Sequence, residues 1–166
     1  MSFSPAAEKA RRRILSRLPV AAWLWKTLPL AAFAGLRVVR LDEAACAVRV
    51  PGGWRTQNPF RSTYFAAQAM AAEMSTGAPA LVLLRDAPAS VAMLVVGLRA
   101  RYSKKLVGPG VFTCEDVPGL RAAIERAAAA DEPQAFTARS TGRDAAGEVV
   151  AEFEIDWSFK RRSKRS

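Results

Sequence analysis

The most regular pattern in the chain lies towards its C-terminal end. There Val149, Ala151, Phe153, Ile155, Trp157 and Phe159 share one parity, while Glu148, Glu152, Glu154, Asp156 and Ser158 hold the other. A period of two belongs to a strand with one buried and one wetted face, so residues 148–159 are predicted to lie in an antiparallel sheet. Shorter runs bounded by turn residues extend the same reading. Residues 35–41 and 45–50 flank Asp42-Glu43-Ala44 as a hairpin, and residues 90–106 form a long strand that Gly108-Pro109-Gly110 turns into 111–115. A further strand at 134–141 precedes a turn at 144–147.

Helical patterns fill the remainder. Residues 6–18 are charged and helical in spacing, and 118–131 reads as a surface helix with Pro118 first and Arg121, Glu125 and Arg126 at pairing distances. The apolar run 18–36 contains Trp23, Trp25 and Phe33 but is cut by Lys26 and Pro29. A span needs about 20 uninterrupted apolar residues, so a helix packed on the domain is expected, with membrane-surface contact as the alternative. Between the hairpin and the long strand, a polar loop closed by Pro59 leads to Ser62 and Thr63, either of which suits an N-cap. A helix is predicted from about residue 63 to Thr76, stopped by Gly77 and Pro79, with 80–84 open between helix and strand. That helix is rich in alanine (Ala66, Ala67, Ala69, Ala71, Ala72), and Glu73 is its single acid.

Composition narrows the chemistry. A chain of 166 residues, 51% apolar by type, suits one core. The predicted division is a basic helix or tail at 1–17, one domain at 18–159 and a basic tail at 160–166. The net charge of +10 is concentrated at the two ends, leaving 15 bases and 14 acids between them. Such ends can gather nucleic acid, anionic lipid or nucleotide phosphates, or simply be solvated. No aromatic residue is interleaved with the C-terminal bases, so no specific nucleic-acid partner is expected. With no histidine, Ser-His-Asp and Cys-His catalysis are excluded. Cys46 and Cys114, in strand-like runs, read as buried free thiols, and no metal or cofactor is expected.

Order and loop together resemble the hot-dog fold, an α+β architecture in which a curved antiparallel sheet wraps a long central helix, here with an extra N-terminal helix. More narrowly, residues 20–159 resemble the bacterial branch known as domain of unknown function 4442, related to acyl-CoA thioesterases of the phenylacetate-pathway type. The pattern in those enzymes is Asn, Gly three residues on, His-Gly-Gly at six to eight, and an acid at fifteen. Asn58 and Glu73 match its two ends; Arg61 replaces the Gly, and Tyr64, Phe65 and Ala66 replace His-Gly-Gly, so side chains project where the family leaves bare backbone.

The resemblance implies hydrolysis of acyl-CoA or acyl-carrier-protein thioesters. Glu73 would be base or nucleophile and Asn58 would orient the water or carbonyl, while the amides near Phe65 and Ala66 would meet the oxyanion. Tyr64, Arg61, Gln68 and Ser75 would line the pocket, with Met70 and Met74 as core or tunnel wall. Arg99 and Arg101, two apart on one strand face, are candidates for the phosphates, together with Lys104, Lys105, Arg139 and Arg143. A homodimer or dimer of dimers and a cytoplasmic setting are also implied. The alternatives are a non-catalytic hot-dog domain holding an acyl or other apolar ligand, and a membrane-surface or polyanion-binding protein.

Overall fold

The computed structural model describes residues 3–16 and 18–163. In chain order the elements are α1 (Pro5–Leu15), α2 (Leu18–Thr27), α3 (Pro29–Ala34), β1 (Arg37–Leu41), β2 (Cys46–Val50) and α4 (Phe65–Leu83). Then follow β3 (Val91–Tyr102), β4 (Gly110–Cys114), α5 (Val117–Ala129), β5 (Gln134–Asp144) and β6 (Val149–Arg161). The strands form one sheet in the order β1-β2-β4-β5-β6-β3, antiparallel at every pairing. Helix α4 packs against β1, β2, β4, β5 and β6. A long helix wrapped by an antiparallel sheet is the hot-dog arrangement, and α1 is the extra N-terminal helix, docked on α4 and β1.

The core follows from the alternation on the strands. Phe153, Ile155, Trp157 and Phe159 of β6 point inward with Val48, Val50 and Phe112. They meet Ala67, Ala71, Ala72 and Ala78, whose small side chains let the sheet close tightly on the helix. The β1–β2 turn is closed by Asp42, whose carboxylate accepts from the amides of Ala44 (2.9 Å) and Ala45 (2.8 Å). Cys46 and Cys114 are register partners across β2 and β4, both buried and free.

Several expectations are corrected. Helix α4 does not stop at Thr76 but continues through Gly77 and Pro79 to Leu83, which also makes residues 80–83 helical. Proline inside a helix costs roughly 3 kcal/mol, and burial of Ala80, Val82 and Leu83 offsets it. Gly77, inside the helix, lies against the Trp157 ring, where a side chain would be crowded. The N-cap is Tyr64, with no side-chain capping bond. Ser62 donates instead to Asn58 (3.2 Å) and Thr63 to the Gly108 carbonyl (3.4 Å).

The run 18–36 is two helices, since Leu28 breaks the ladder and Pro29 opens α3. Strand β3 ends at Tyr102, and its apolar residues Leu94, Val95 and Val96 are exposed because β3 is an edge of the sheet. On α5, which begins at Val117, Arg121 reaches Asp86 (3.2 Å) rather than a neighbour on its own helix. Strand β6 takes in Lys160 and Arg161, so the sheet claims two residues of the expected C-terminal tail. Arg17, Lys164 and Arg165 lie outside the described residues. Among the described residues no helix is long and apolar enough to cross a membrane.

Candidate functional site

Glu73 sits near the middle of α4, half-buried, on the wall of a largely apolar cavity of about 260 Å³. Its lining includes Trp23 and Leu28 of α2 and its exit, Met93 of β3, Met74 and Leu81 of α4 and Trp157 of β6, together with Arg37 of β1. Two features hold this wall together. Trp157 donates its indole N–H to the Thr76 hydroxyl (3.0 Å), and the bare Gly77, one turn beyond Glu73, leaves room for the indole and the carboxylate together. Among the described residues no side chain or amide donates to the Glu73 carboxylate and no base pairs with it. Burial alone therefore pushes its pKa above the ordinary carboxylate range. A carboxyl group so placed is a stronger base than one in water.

A second groove opens at the other end of α4. It is lined by Asn58, Tyr64, Phe65, Gln68, Tyr102 and Lys105, among others. Asn58 shapes the loop: its carbonyl oxygen accepts from the amides of Phe60 (3.0 Å) and Ser62 (3.1 Å) and from the Ser62 hydroxyl. Arg61, inside this loop, has φ of 58°, the left-handed conformation glycine adopts most readily. Gln68 is 4% exposed. Its amide donates to the Thr63 carbonyl (3.0 Å), and its own carbonyl oxygen has no partner among the described residues. The amides of Ala67 and Gln68 both turn to the Tyr64 carbonyl, leaving those of Phe65 and Ala66 as the unused donors of the first turn.

The predicted residues thus separate. Asn58, Tyr64, Phe65 and Gln68 come together in the groove; Glu73 and Met74 belong to the cavity. Eight residues of helix, about 12 Å of rise, separate Phe65 from Glu73, and Gln68 points about 140° away from Glu73 around the axis. Edge strand β3 touches both places, through Met93 at the cavity and Tyr102 at the groove, where its hydroxyl donates to the Phe65 carbonyl (3.4 Å). Ser75 faces neither: its hydroxyl bonds the Ala72 carbonyl and Ser140 in the core. Met70 packs at the core's periphery.

Arg99 is taken up by Glu154 (2.9 Å) and Asp156 (2.7 Å), and Arg139 lies 3.6 Å from Glu154. Arg101 is exposed and has no ion pair among the described residues. Lys104 bridges Asp144 (2.9 Å) and Glu148, Lys105 stands 5.8 Å from the centre of the Phe60 ring, and Arg143 donates to the Gly147 carbonyl (2.9 Å). The residues missed from sequence are the cavity walls, Trp23, Leu28, Gly77 and Trp157. Only the i, i+4 spacing of Glu73 and Gly77 hinted at them, since it leaves a bare helical patch beside an acid.

Comparison with solved structures places the architecture. PA5026 from Pseudomonas aeruginosa, a protein of unknown function described as a probable thioesterase, aligns with a TM-score of 0.72 at 21% identity over 90% of this chain and 99% of its own. OLEI01261 from Chlorobaculum tepidum, of unknown function, aligns at 0.73 and 13% identity over 89% and 98%. Thioesterase HI1161 from Haemophilus influenzae aligns at 0.63 and 11% identity over 86% and 89%. At these identities the shared property is the fold. No curated protein matches the chain. A family model does match across the sheet and its central helix, residues 18–159, and the chain belongs to that family, Domain of unknown function (DUF4442).

Proposed function

We propose that the protein hydrolyses acyl thioesters, acyl-CoA or acyl-carrier-protein conjugates, with Glu73 as the general base. The observation that carries this reading is an unpaired carboxyl, its pKa raised by burial, on the wall of a cavity lined mainly by apolar side chains. Such a group takes a proton from water as the water oxygen attacks the thioester carbonyl. The oxyanion so formed needs N–H donors, and collapse of the tetrahedral intermediate breaks the C–S bond, with the carboxylic acid returning its proton to the departing thiolate. The apolar wall suits the acyl chain. The thioesterase names carried by structural relatives such as HI1161 support the same chemistry.

The donors are supplied in this proposal by a second copy of the chain. Within one chain the Phe65 and Ala66 amides are too far from Glu73 to share a carbonyl with it. Strand β3 is an unpaired edge with Leu94, Val96 and Leu98 exposed. If two β3 edges pair antiparallel about a two-fold midway between Met93 and Tyr102, the Met93 end of one strand lies beside the Tyr102 end of the other. That pairing brings the cavity of one protomer to the groove of its partner, and the result is a homodimer with two composite sites.

The test is thiol release from a panel of acyl-CoAs by the natural protein and Glu73→Gln. Loss of about 10²-fold or more in rate is expected for removing a general base. Hydrolysis unchanged in Glu73→Gln removes Glu73 from the mechanism. No hydrolysis of any substrate, together with fatty ligand retained on purification, supports instead the binding-module reading that the apolar cavity also favours.

A further inference from the structure

The cavity does not account for the N-terminal surface beside it. Along α2, Leu18, Ala21, Ala22 and Trp25 recur at i, i+3, i+4 and i+7 and are all exposed, so the helix has an apolar outer face opposite Leu24. The face continues through Leu28 and Pro29 to Leu30 and Phe33 of α3, and Trp54 stands edge-on to Phe33 at 5.8 Å. Trp25 is 58% exposed, Leu30 66% and Trp54 73%. Single exposed apolar residues are ordinary, but a run of two tryptophans, a phenylalanine and three leucines is a surface built to be covered.

Charge says by what. Residues 9–41 contain eight bases and no acid. Beside the apolar face, a groove between α1 and α2 is lined by Lys9, Arg13 and Arg85, with no acid in its lining and no ion pair to any of the three among the described residues. Its floor, Ile14, Val20, Trp23 and Leu81, is also wall of the Glu73 cavity. Three free cations therefore stand immediately next to an apolar ridge and the mouth of an apolar cavity.

We propose that the α2–α3 ridge seats on an anionic phospholipid bilayer, with Lys9, Arg13 and Arg85 at the lipid phosphates and the cavity mouth turned toward the acyl chains. A helix with an apolar face and flanking bases lies in the interfacial plane of a membrane, and tryptophan favours that depth because one end of its ring system is apolar and the other polar. Cations add electrostatic attraction to an anionic surface, and salt screens it. Docking itself stands apart from catalysis; only the corollary, that an acyl thioester partitioned into the bilayer reaches Glu73 without crossing water, rests on the hydrolase reading.

The experiment is vesicle flotation of the full chain with phosphatidylcholine alone and with phosphatidylglycerol mixed in, at rising salt, alongside tryptophan fluorescence. Binding confined to the anionic vesicles, weakening with salt and accompanied by a blue shift, is expected. Trp25→Ala/Leu30→Ala is expected to lose it by about tenfold or more, and Lys9→Glu/Arg13→Glu to abolish the preference for anionic lipid, since each base near such a surface is worth roughly fivefold. Both double variants change exposed residues, and their melting curves check that they fold. Flotation retained by Trp25→Ala/Leu30→Ala would show that the ridge does not seat on the bilayer and overturn the proposal, as would equal binding to neutral vesicles or none at all. A change of oligomeric state in Trp25→Ala/Leu30→Ala would show the ridge to be a protein interface and overturn it too. Hydrolysis of a short water-soluble acyl-CoA, measured without vesicles, should be unchanged in Trp25→Ala/Leu30→Ala, so loss of docking and failure of the hydrolase reading are read separately.

Discussion

Replacing Gly77 with alanine adds one methyl group where α4, β6 and the cavity meet. A Cβ there would stand 3.1 Å from a Glu73 carboxylate oxygen and 3.3 Å from two ring atoms of Trp157. Those separations are a few tenths of an ångström short of ordinary contact, and Trp157 cannot withdraw freely while its N–H holds Thr76. In an exposed helix the change would stabilise by about 1 kcal/mol. Overpacking a closed core costs about 1–3 kcal/mol, and the small overlap here puts the cost in the lower half of that range. The opposing contributions leave a destabilisation of at most about 1 kcal/mol, or roughly 2–4 °C in melting temperature for a chain of this size. Function is expected to suffer more. The methyl narrows the cavity and displaces the carboxylate, so acyl affinity or kcat/KM should fall about tenfold, the equivalent of about 1.4 kcal/mol. Urea unfolding, binding of a fluorescent fatty-acid analogue and thiol release, run on both proteins, separate these effects. A variant stabilised by about 1 kcal/mol with acyl binding unchanged would refute the reasoning, because Gly77 would then face open space.

Three further outcomes follow from particular contacts. Burial raises the Glu73 pKa, so the folded chain keeps a proton that the unfolded chain releases, and stability falls as pH rises from the ordinary carboxylate range through the raised one. Glu73→Gln carries no such penalty; it should match the natural protein below about pH 4 and exceed it at pH 8 in urea midpoint, and a lower midpoint at pH 8 would contradict the buried, unpaired carboxyl. Gly142 pairs with Phe112 across β4 and β5, and a Cβ on it would stand 2.3 Å from that fully buried ring. Gly142→Ala should therefore cost about 3 kcal/mol by chemical denaturation, and a cost below about 1 kcal/mol would mean the ring is free to move. Cys46 and Cys114 are both buried, with the Cys114 thiol pushed up to about 12. Neither should react with a thiol reagent at pH 8 until the chain is unfolded, and rapid labelling of the native protein would contradict the packing of β2 on β4.

Strand β6 was legible because a period of two needs only one fact about its surroundings, that one side of the sheet is wet. The β1–β2 hairpin was legible because Asp42 closes its turn with bonds to neighbours two and three residues away. Helix α4 was legible in its first half and misread in its second. Gly77 and Pro79 are stop signals by local propensity, and what overrides them, an indole from β6 and the burial of Val82 and Leu83, comes from elsewhere in the fold. The apolar start of β3 was legible as strand, but nothing in its residues reveals that it forms a sheet edge.

For the candidate site the division is similar. By itself the order of residues determined the helix that carries Glu73, its acid-poor, alanine-rich surroundings and the polar loop that leads into it, since each depends on spacing within a few residues. Only the tertiary structure decided that Asn58 and Glu73 face different openings, that Arg99 is taken up by acids on β6, and that tryptophans from the two ends of the chain wall one cavity. Such pairings depend on which surfaces the closed sheet brings together, and burial of the whole core, not any local preference, selects them.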